Sequence, residues 1–367
     1  MKNLVRVINS MNPLPILGDI LFDVNEQEKK ATLTASDSEV TMGCEVILSE
    51  CEGGGRFCVG ANTLAAMLTE VSEQPLTITA TLESDMQFTM SYQDGSAFCP
   101  IENADEFPMP KQGDLNETLL GIDNEYLRDA LKRSLWATTN DDLRPNMCGV
   151  NFALVDGCLD IVASNGHVLV KSQKSYAEEV ETSRCGSFIM PKKVAKILIA
   201  IAESDDSIDI EWNDREAHVG MLGCDITFRL IEGKYPNYNS VIPETFAHQV
   251  RCQRTALLSA VKAVAPFAPD SSQLLTMTFE GKMIKVNGMD SDFAQGAAKS
   301  ISMDADYDDP LSIGVKASSM INMLSKLSTP EIDLNFNDPS RAIVINPVDD
   351  ESEEEITGLI MPMMLNE

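Results

Sequence analysis

The sequence predicts an α+β fold made of three repeated domains, each with two helices packed on antiparallel sheets. Two observations carry this expectation. Three amphipathic helical stripes recur at near-equal spacing, and each is followed by the same kind of short alternating strand. The stripes are Leu64, Met67, Leu68 and Val71; then Val194, Ile197, Leu198 and Ile201; then Met320, Met323, Leu324 and Leu327. Leu64 to Val194 is 130 residues, and Val194 to Met320 is 126. Residues three and four apart share a helix face, so each set forms one apolar stripe. The strands that follow lie at 76–78, 208–210 and 332–334. A single helix–strand pair would be ordinary; three at one period identify a repeat.

A further helix opens each copy. Leu127, Leu131 and Leu135 mark it in the middle copy, and Leu257, Val261 and Val264 in the last. In the first copy the matching stretch is Leu4, Val5, Arg6, Val7 and Ile8. Alternating strands come next, as at 152–154 and 159–162. Each unit therefore reads helix, strands, helix, strands over about 120 residues, a usual domain size. Strand-rich units with two helices gather the helices on one face of their sheets. The expected domains are 1–113, 114–246 and 247–367. The two later copies have a strand-like segment before the first helix, at 119–122 and 249–252, but the first copy starts almost at Met1. Either the chain begins at an internal methionine or its first sheet lacks a strand.

With 367 residues and 44% hydrophobic content, the chain is long enough for two or three packed cores. The longest apolar run, at 197–202, falls far short of a membrane span of about 18 residues, and no signal layout opens the chain. A cytoplasmic protein that makes no membrane contact is expected. The nine cysteines (44, 51, 58, 99, 148, 158, 185, 224, 252) include no CxxC pair, and the histidines stand far apart at 167, 218 and 248. No metal or other cofactor is expected, and the cysteines read as small apolar side chains in a reducing compartment.

The net charge is −29, from 28 basic and 57 acidic residues. Affinity for phosphates comes from positive charge, so the total argues against nucleic acid and only the placement of the cations can argue for it. The cations gather on the repeat helices: Arg128, Lys132 and Arg133, then Lys192, Lys193 and Lys196 in the middle copy. The last copy adds Arg254, Lys262, Lys316 and Lys326, and the first only Lys2 and Arg6. Largely off the apolar stripes, they are read as a solvated surface for double-stranded DNA, with Arg144 included among the DNA-facing residues. Nothing suggests base-edge readout, so the contact is expected to be sequence-independent. With loop acids such as Asp349, Asp350 and Glu353 elsewhere, static affinity is expected to be weak, which suits sliding.

Three stretches then carry a family resemblance. Leu14, Pro15, Ile16 and Leu17, followed by Ile20, Leu21 and Phe22, resemble the opening of the bacterial beta clamp, the processivity subunit of DNA polymerase III. The run Ser164, Asn165, Gly166, His167, Val168 and Leu169 is similar to that family's signature turn in its middle domain. Residues 359–365 are similar to its terminal strand, with Met364 where an arginine is common. Segments 144–147 and 233–238 match as well, so the resemblance runs in order along nearly the whole chain. It implies three DNA-clamp domains that pair head to tail in a homodimer, giving a six-domain ring opened by an ATP-driven loader. It also implies a groove for short motifs of the polymerase catalytic subunit, clamp-loader subunits and other clamp-binding proteins. Carried onto this chain, the wall of that groove would include Met147, Ser164, Gly166, His167, Leu169, Pro236, Val241, Leu359, Ile360, Met361, Pro362 and Met363. Methionine-rich apolar walls can repack around different leucine and phenylalanine anchors. Ser240 stands where the family often has a basic residue, so the rim is expected to be less basic. Phe98 and Phe267 match regions that meet across the family's dimer interface.

Rival classes have less support. The chain has no GxSxG or HExxH, and Gly53, Gly54 and Gly55 lack the Lys-Ser or Lys-Thr of a phosphate loop, so no enzyme is expected. The alternative is a peptide-binding scaffold of the same domains that forms no ring.

Overall fold

The computed structural model describes all residues except 1–2, 10–11, 13, 70, 84–85, 110–112, 116, 156, 177–185, 203–206, 349–352 and 366–367. Lys2, Cys185, Asp349 and Asp350 therefore lie outside the described residues.

In chain order the first copy comprises β1 (Asp19–Asn25), β2 (Lys30–Ser36), β3 (Val40–Ile47), β4 (Gly55–Gly60), α1 (Ala61–Thr69), β5 (Thr77–Thr81), β6 (Gln87–Tyr92), β7 (Gly95–Pro100) and β8 (Glu102–Asn103). The middle copy opens with β9 (Glu117–Asp123), α2 (Asn124–Ser134), β10 (Gly149–Val155), β11 (Cys158–Ser164), β12 (Val168–Ser175) and β13 (Gly186–Pro191). It continues with α3 (Lys192–Ile201), β14 (Ser207–Trp212), β15 (Glu216–Met221) and β16 (Cys224–Arg229). The last copy has β17 (His248–Gln253), α4 (Arg254–Val264), β18 (Leu274–Asp290), β19 (Gln295–Lys316), α5 (Ala317–Lys326), β20 (Glu331–Phe336), β21 (Ile343–Pro347) and β22 (Glu354–Ile360). Three copies of one helix-and-strand pattern thus make an α+β fold.

The stripes that predicted the helices are mostly buried in the last two copies, whereas in the first Met67, Leu68 and Val71 are only half-buried. Leu64 of α1, Val194, Ile197 and Leu198 of α3, and Met320, Met323 and Leu324 of α5 are each 2% exposed or less. The first copy departs from the pattern at its start. Where a helix was expected at Leu4 to Ile8, the chain makes one 3-10 turn, Leu4–Arg6, with Leu4 and Val7 buried.

The chain forms two compact units, residues 1–128 with 193–230, and 129–192 with 231–367. The middle copy is thereby shared, so these units do not follow the three-way division. Sheet pairing explains the split. In the first unit β3 pairs antiparallel with β16, joining strands in the order β8-β4-β1-β2-β3-β16-β15-β14-β9. In the second unit β12 pairs with β22, in the order β13-β10-β11-β12-β22-β21-β20-β17. Backbone ladders across these two seams tie each half of the middle copy to a different neighbour.

The first unit also holds a three-stranded sheet, β5-β6-β7. Among the described residues, no strand covers β5 on the side where β9 covers β14 and β17 covers β20. Of the matching core positions, Ile210 and Leu334 are fully buried while Ile78 is 38% exposed.

Cys44 and Cys224 are joined by a disulfide rather than standing as separate thiols. They face each other across β3 and β16 with Cα atoms 4.3 Å apart. Glu45 N–H donates to the Gly223 carbonyl beside them, so the cysteines occupy a non-hydrogen-bonded pair, where side chains approach most closely.

Candidate functional site

The second unit carries a groove of about 150 Å³, built on the exposed side of a sheet core. Alternation along the strands sets its floor: Val162, Leu169, Val344 and Leu359 pack with Ile189, Tyr235 and Ala342 in one buried cluster. Leu169 and Leu359 are direct partners across the β12–β22 seam.

A tight turn between β11 and β12 forms one edge. Ser164 Oγ donates to the Val168 carbonyl and accepts the Gly166 N–H. Asn165 Oδ1 accepts the N–H groups of His167 and Val168, at 2.9 and 3.0 Å. This side-chain mimic of a backbone turn forces Gly166 to φ +89, a region that only glycine enters freely. The turn presents His167 to solvent, and its carbonyl accepts the Met361 N–H at 2.8 Å, fastening the C-terminal segment alongside.

The opposite wall is the irregular segment 235–241. Asn146 Nδ2 donates to the Lys234 carbonyl at 2.8 Å, holding the segment's start. A 3-10 turn, Asn239–Val241, brings the half-exposed Val241 to the rim. Tyr235 and Tyr238 meet edge to face, 6.4 Å between centroids. Burial pushes the Tyr235 hydroxyl up to about 12, and burial followed by the hydrogen bond to Asp160 raises that of Tyr238. Both rings therefore present neutral phenols at physiological pH.

Nine residues named from the sequence line the groove: Met147, Ser164, Gly166, His167, Leu169, Pro236, Val241, Leu359 and Met361. Three do not. Ile360 is 1% exposed and points to the opposite face from Leu359, as strand alternation requires. Pro362 and Met363 run past the groove, and the Met363 backbone bridges to Gly314 instead. Sequence reasoning missed Val168, Tyr235, Asn237 and Tyr238. The motif segment 233–238 held three of these, but nothing in its spacing showed which side chains turn inward.

The cations expected to face DNA divide into three kinds. Lys132, Lys196, Lys262 and Lys316 are exposed, Lys132 beside Asp129 at 3.1 Å. Arg128 is half-buried near Glu125. Others are engaged with the protein. Arg133 is 8% exposed and pairs with Glu354 and Ser172, so its assignment to a solvated face is corrected: β22 covers it. Lys193 is held by the Val7 carbonyl, Asn9 and the buried Asp37, and Lys192 by Thr139 and Asn140. Arg144 stands at the groove edge, bonded to Asp141 at 2.9 Å and to the Asn165 carbonyl.

Phe98 on β7 is 69% exposed, and Phe267 36%. Among the described residues, no group of three or more His, Cys, Asp or Glu is placed to hold a metal, and no helix is long and apolar enough to cross a membrane.

Residues 121–237 match the family model for the DNA polymerase III beta subunit, central domain, and 239–364 that for its C-terminal domain. The beta sliding clamp of Synechococcus elongatus is 25% identical, the alignment covering 98% of this chain and 95% of the relative. That of Haemophilus influenzae is 22% identical over 100% and 96%. Among solved structures, a sliding clamp from Pseudomonas aeruginosa bound to griselimycin superposes with a TM-score of 0.91 at 20% identity, covering 99% of this chain and 96% of the other. The DNA polymerase III beta subunit of Thermotoga maritima gives 0.87 at 22%, covering 99% and 96%.

Proposed function

Because the chain belongs to the DNA polymerase III beta subunit family, the beta sliding clamps, we propose that it acts as a DNA sliding clamp in replication. The reading is carried by one observation: the tandem central and C-terminal beta-subunit domains meet in a preformed apolar groove rimmed by the Ser164-to-Leu169 turn. It is a processivity factor for the replicative polymerase, not its catalytic subunit. Three clamp domains, 1–113, 114–246 and 247–367, would pair with those of a second copy to close a six-domain ring in the cytoplasm. The exposed Phe98 and Phe267 are assigned to that interface. Duplex DNA would pass through the ring against Lys132, Lys196, Lys262 and Lys316, contacting phosphates without reading sequence. The catalytic subunit, loader subunits and other partners would dock short leucine- and phenylalanine-bearing motifs in the groove. Apolar anchors gain most in such a concave, pre-shaped site, and Met147 and Met361 adapt to different side chains.

Sedimentation equilibrium of the purified chain tests ring formation. A species of twice the chain mass is expected; a monomer at micromolar concentration would favour a scaffold that forms no ring.

A further inference from the structure

Beneath the groove wall lies a buried carboxylate for which the binding of apolar anchors alone gives no reason. Asp160, in the middle of β11, is 3% exposed, and burying an unpaired charge is costly. Three donors compensate it. Gln173 Nε2, directly opposite on β12, donates to Oδ1 at 2.6 Å. Lys171 Nζ, on the same face of β12, lies 3.2 Å from Oδ2. The Tyr238 hydroxyl donates to Oδ2 at 2.7 Å. Gln173 and Lys171 belong to the same sheet as Asp160, so they tie nothing new to it. Tyr238 belongs to the irregular segment that forms the opposite groove wall, 78 residues away in sequence. The Lys171 ammonium also lies 5.9 Å from the Tyr238 ring centroid, holding the ring between a cation and Tyr235. The segment is also held by Asn146, which donates to the Lys234 carbonyl just before it, and by Tyr235, which is buried in the core cluster under the groove. We propose that Asp160 is a positioning residue for partner binding: it clamps Tyr238, and through it the 235–241 wall, in the shape that accepts a motif before the motif arrives.

This rests on the reading of the groove as the partner site. The wall costs binding nothing when it is already ordered, whereas a released wall must be ordered at the moment of binding. Tyr238→Phe removes one hydroxyl and leaves the ring. Its expected effect is a loss of affinity of about three- to tenfold, the cost of immobilising one or two side chains. Asp160→Ala is expected to match it, and the double variant to be no weaker than Asp160→Ala, since both changes break one link. Asp160→Asn separates positioning from folding. Its amide oxygen still accepts from Tyr238, so affinity stays near wild type, while loss of the charge partner of Lys171 lowers thermal stability.

The measurement is fluorescence anisotropy of a labelled short peptide carrying leucine and phenylalanine anchors, titrated with the full chain, with circular dichroism melting on every variant. A wild-type chain that does not bind overturns the groove reading and this inference with it. Wild-type binding with an unchanged Tyr238→Phe, folded by circular dichroism, overturns the inference alone. So does an Asp160→Asn variant as weak as Asp160→Ala.

Discussion

Asp19 shows how a single side chain sets a property of this molecule. Burial, followed by repulsion from Glu102, raises its carboxyl from 3.8 to about 6. The native state therefore holds a proton that the unfolded chain has released, and stability falls as pH rises from about 4 to about 6. A change of two pKa units would be near 3 kcal/mol in full; with Asp19 partly open to solvent, about 1–2 kcal/mol is expected. Urea melts of Asp19→Asn should show a chain more stable than wild type at pH 7 and flatter across that window. Equal pH profiles would remove Asp19 as the cause. Lys193 makes a different point at the same scale. Its ammonium is spent on Asp37, Asn9 and the Val7 carbonyl, so Lys193→Glu would disturb folding before it reported on DNA. From the sequence Lys193 looked like any cation off an apolar stripe. Its partners lie 156 and more residues away, and no local pattern announces them. Arg133 and Glu354, 221 residues apart, were illegible for the same reason.

At the scale of elements, periodicity read well wherever one face is buried. Helices α1, α3 and α5 and the strands after them appear where 3.6- and 2-residue spacing placed them, although α1 ends at Thr69, before Val71, and α5 at Lys326, before Leu327. Alternation would also have excluded Ile360 from the groove once Leu359 was placed in it. The tyrosines of 235–241 follow neither period, because they lie in an irregular segment whose contacts, to Asp160, Asn146 and the sheet core, are distant in sequence. The first copy's opening segment carried an apolar run but no helical turn beyond Leu4–Arg6. The Cys44–Cys224 link belongs to this scale, since it staples β3 to β16 across one of the two seams. It closes a 180-residue separation, and constraining so long a loop in the unfolded chain is worth about 5 kcal/mol in the chain-entropy account. Reducing agent should therefore lower the denaturation midpoint of the wild type and leave that of Cys44→Ser unmoved. A wild type indifferent to reduction would show the link contributes nothing to stability.

For the whole molecule the governing fact is a charge of −29, 28 basic residues against 57 acidic ones. Such a protein gains little by simple adsorption to DNA, and what it gains is lost quickly as salt rises. On the proposed reading retention is topological, and the exposed Lys132, Lys196, Lys262 and Lys316 would ease the passage of the duplex rather than grip it. The most direct test places the chain on nicked circular DNA with a clamp loader and ATP, then isolates the complexes by gel filtration in 0.3 M salt. Protein should co-elute with the intact circle and be released when a restriction enzyme opens it. Retention unchanged on the linear product, or none on the circle, would contradict encirclement.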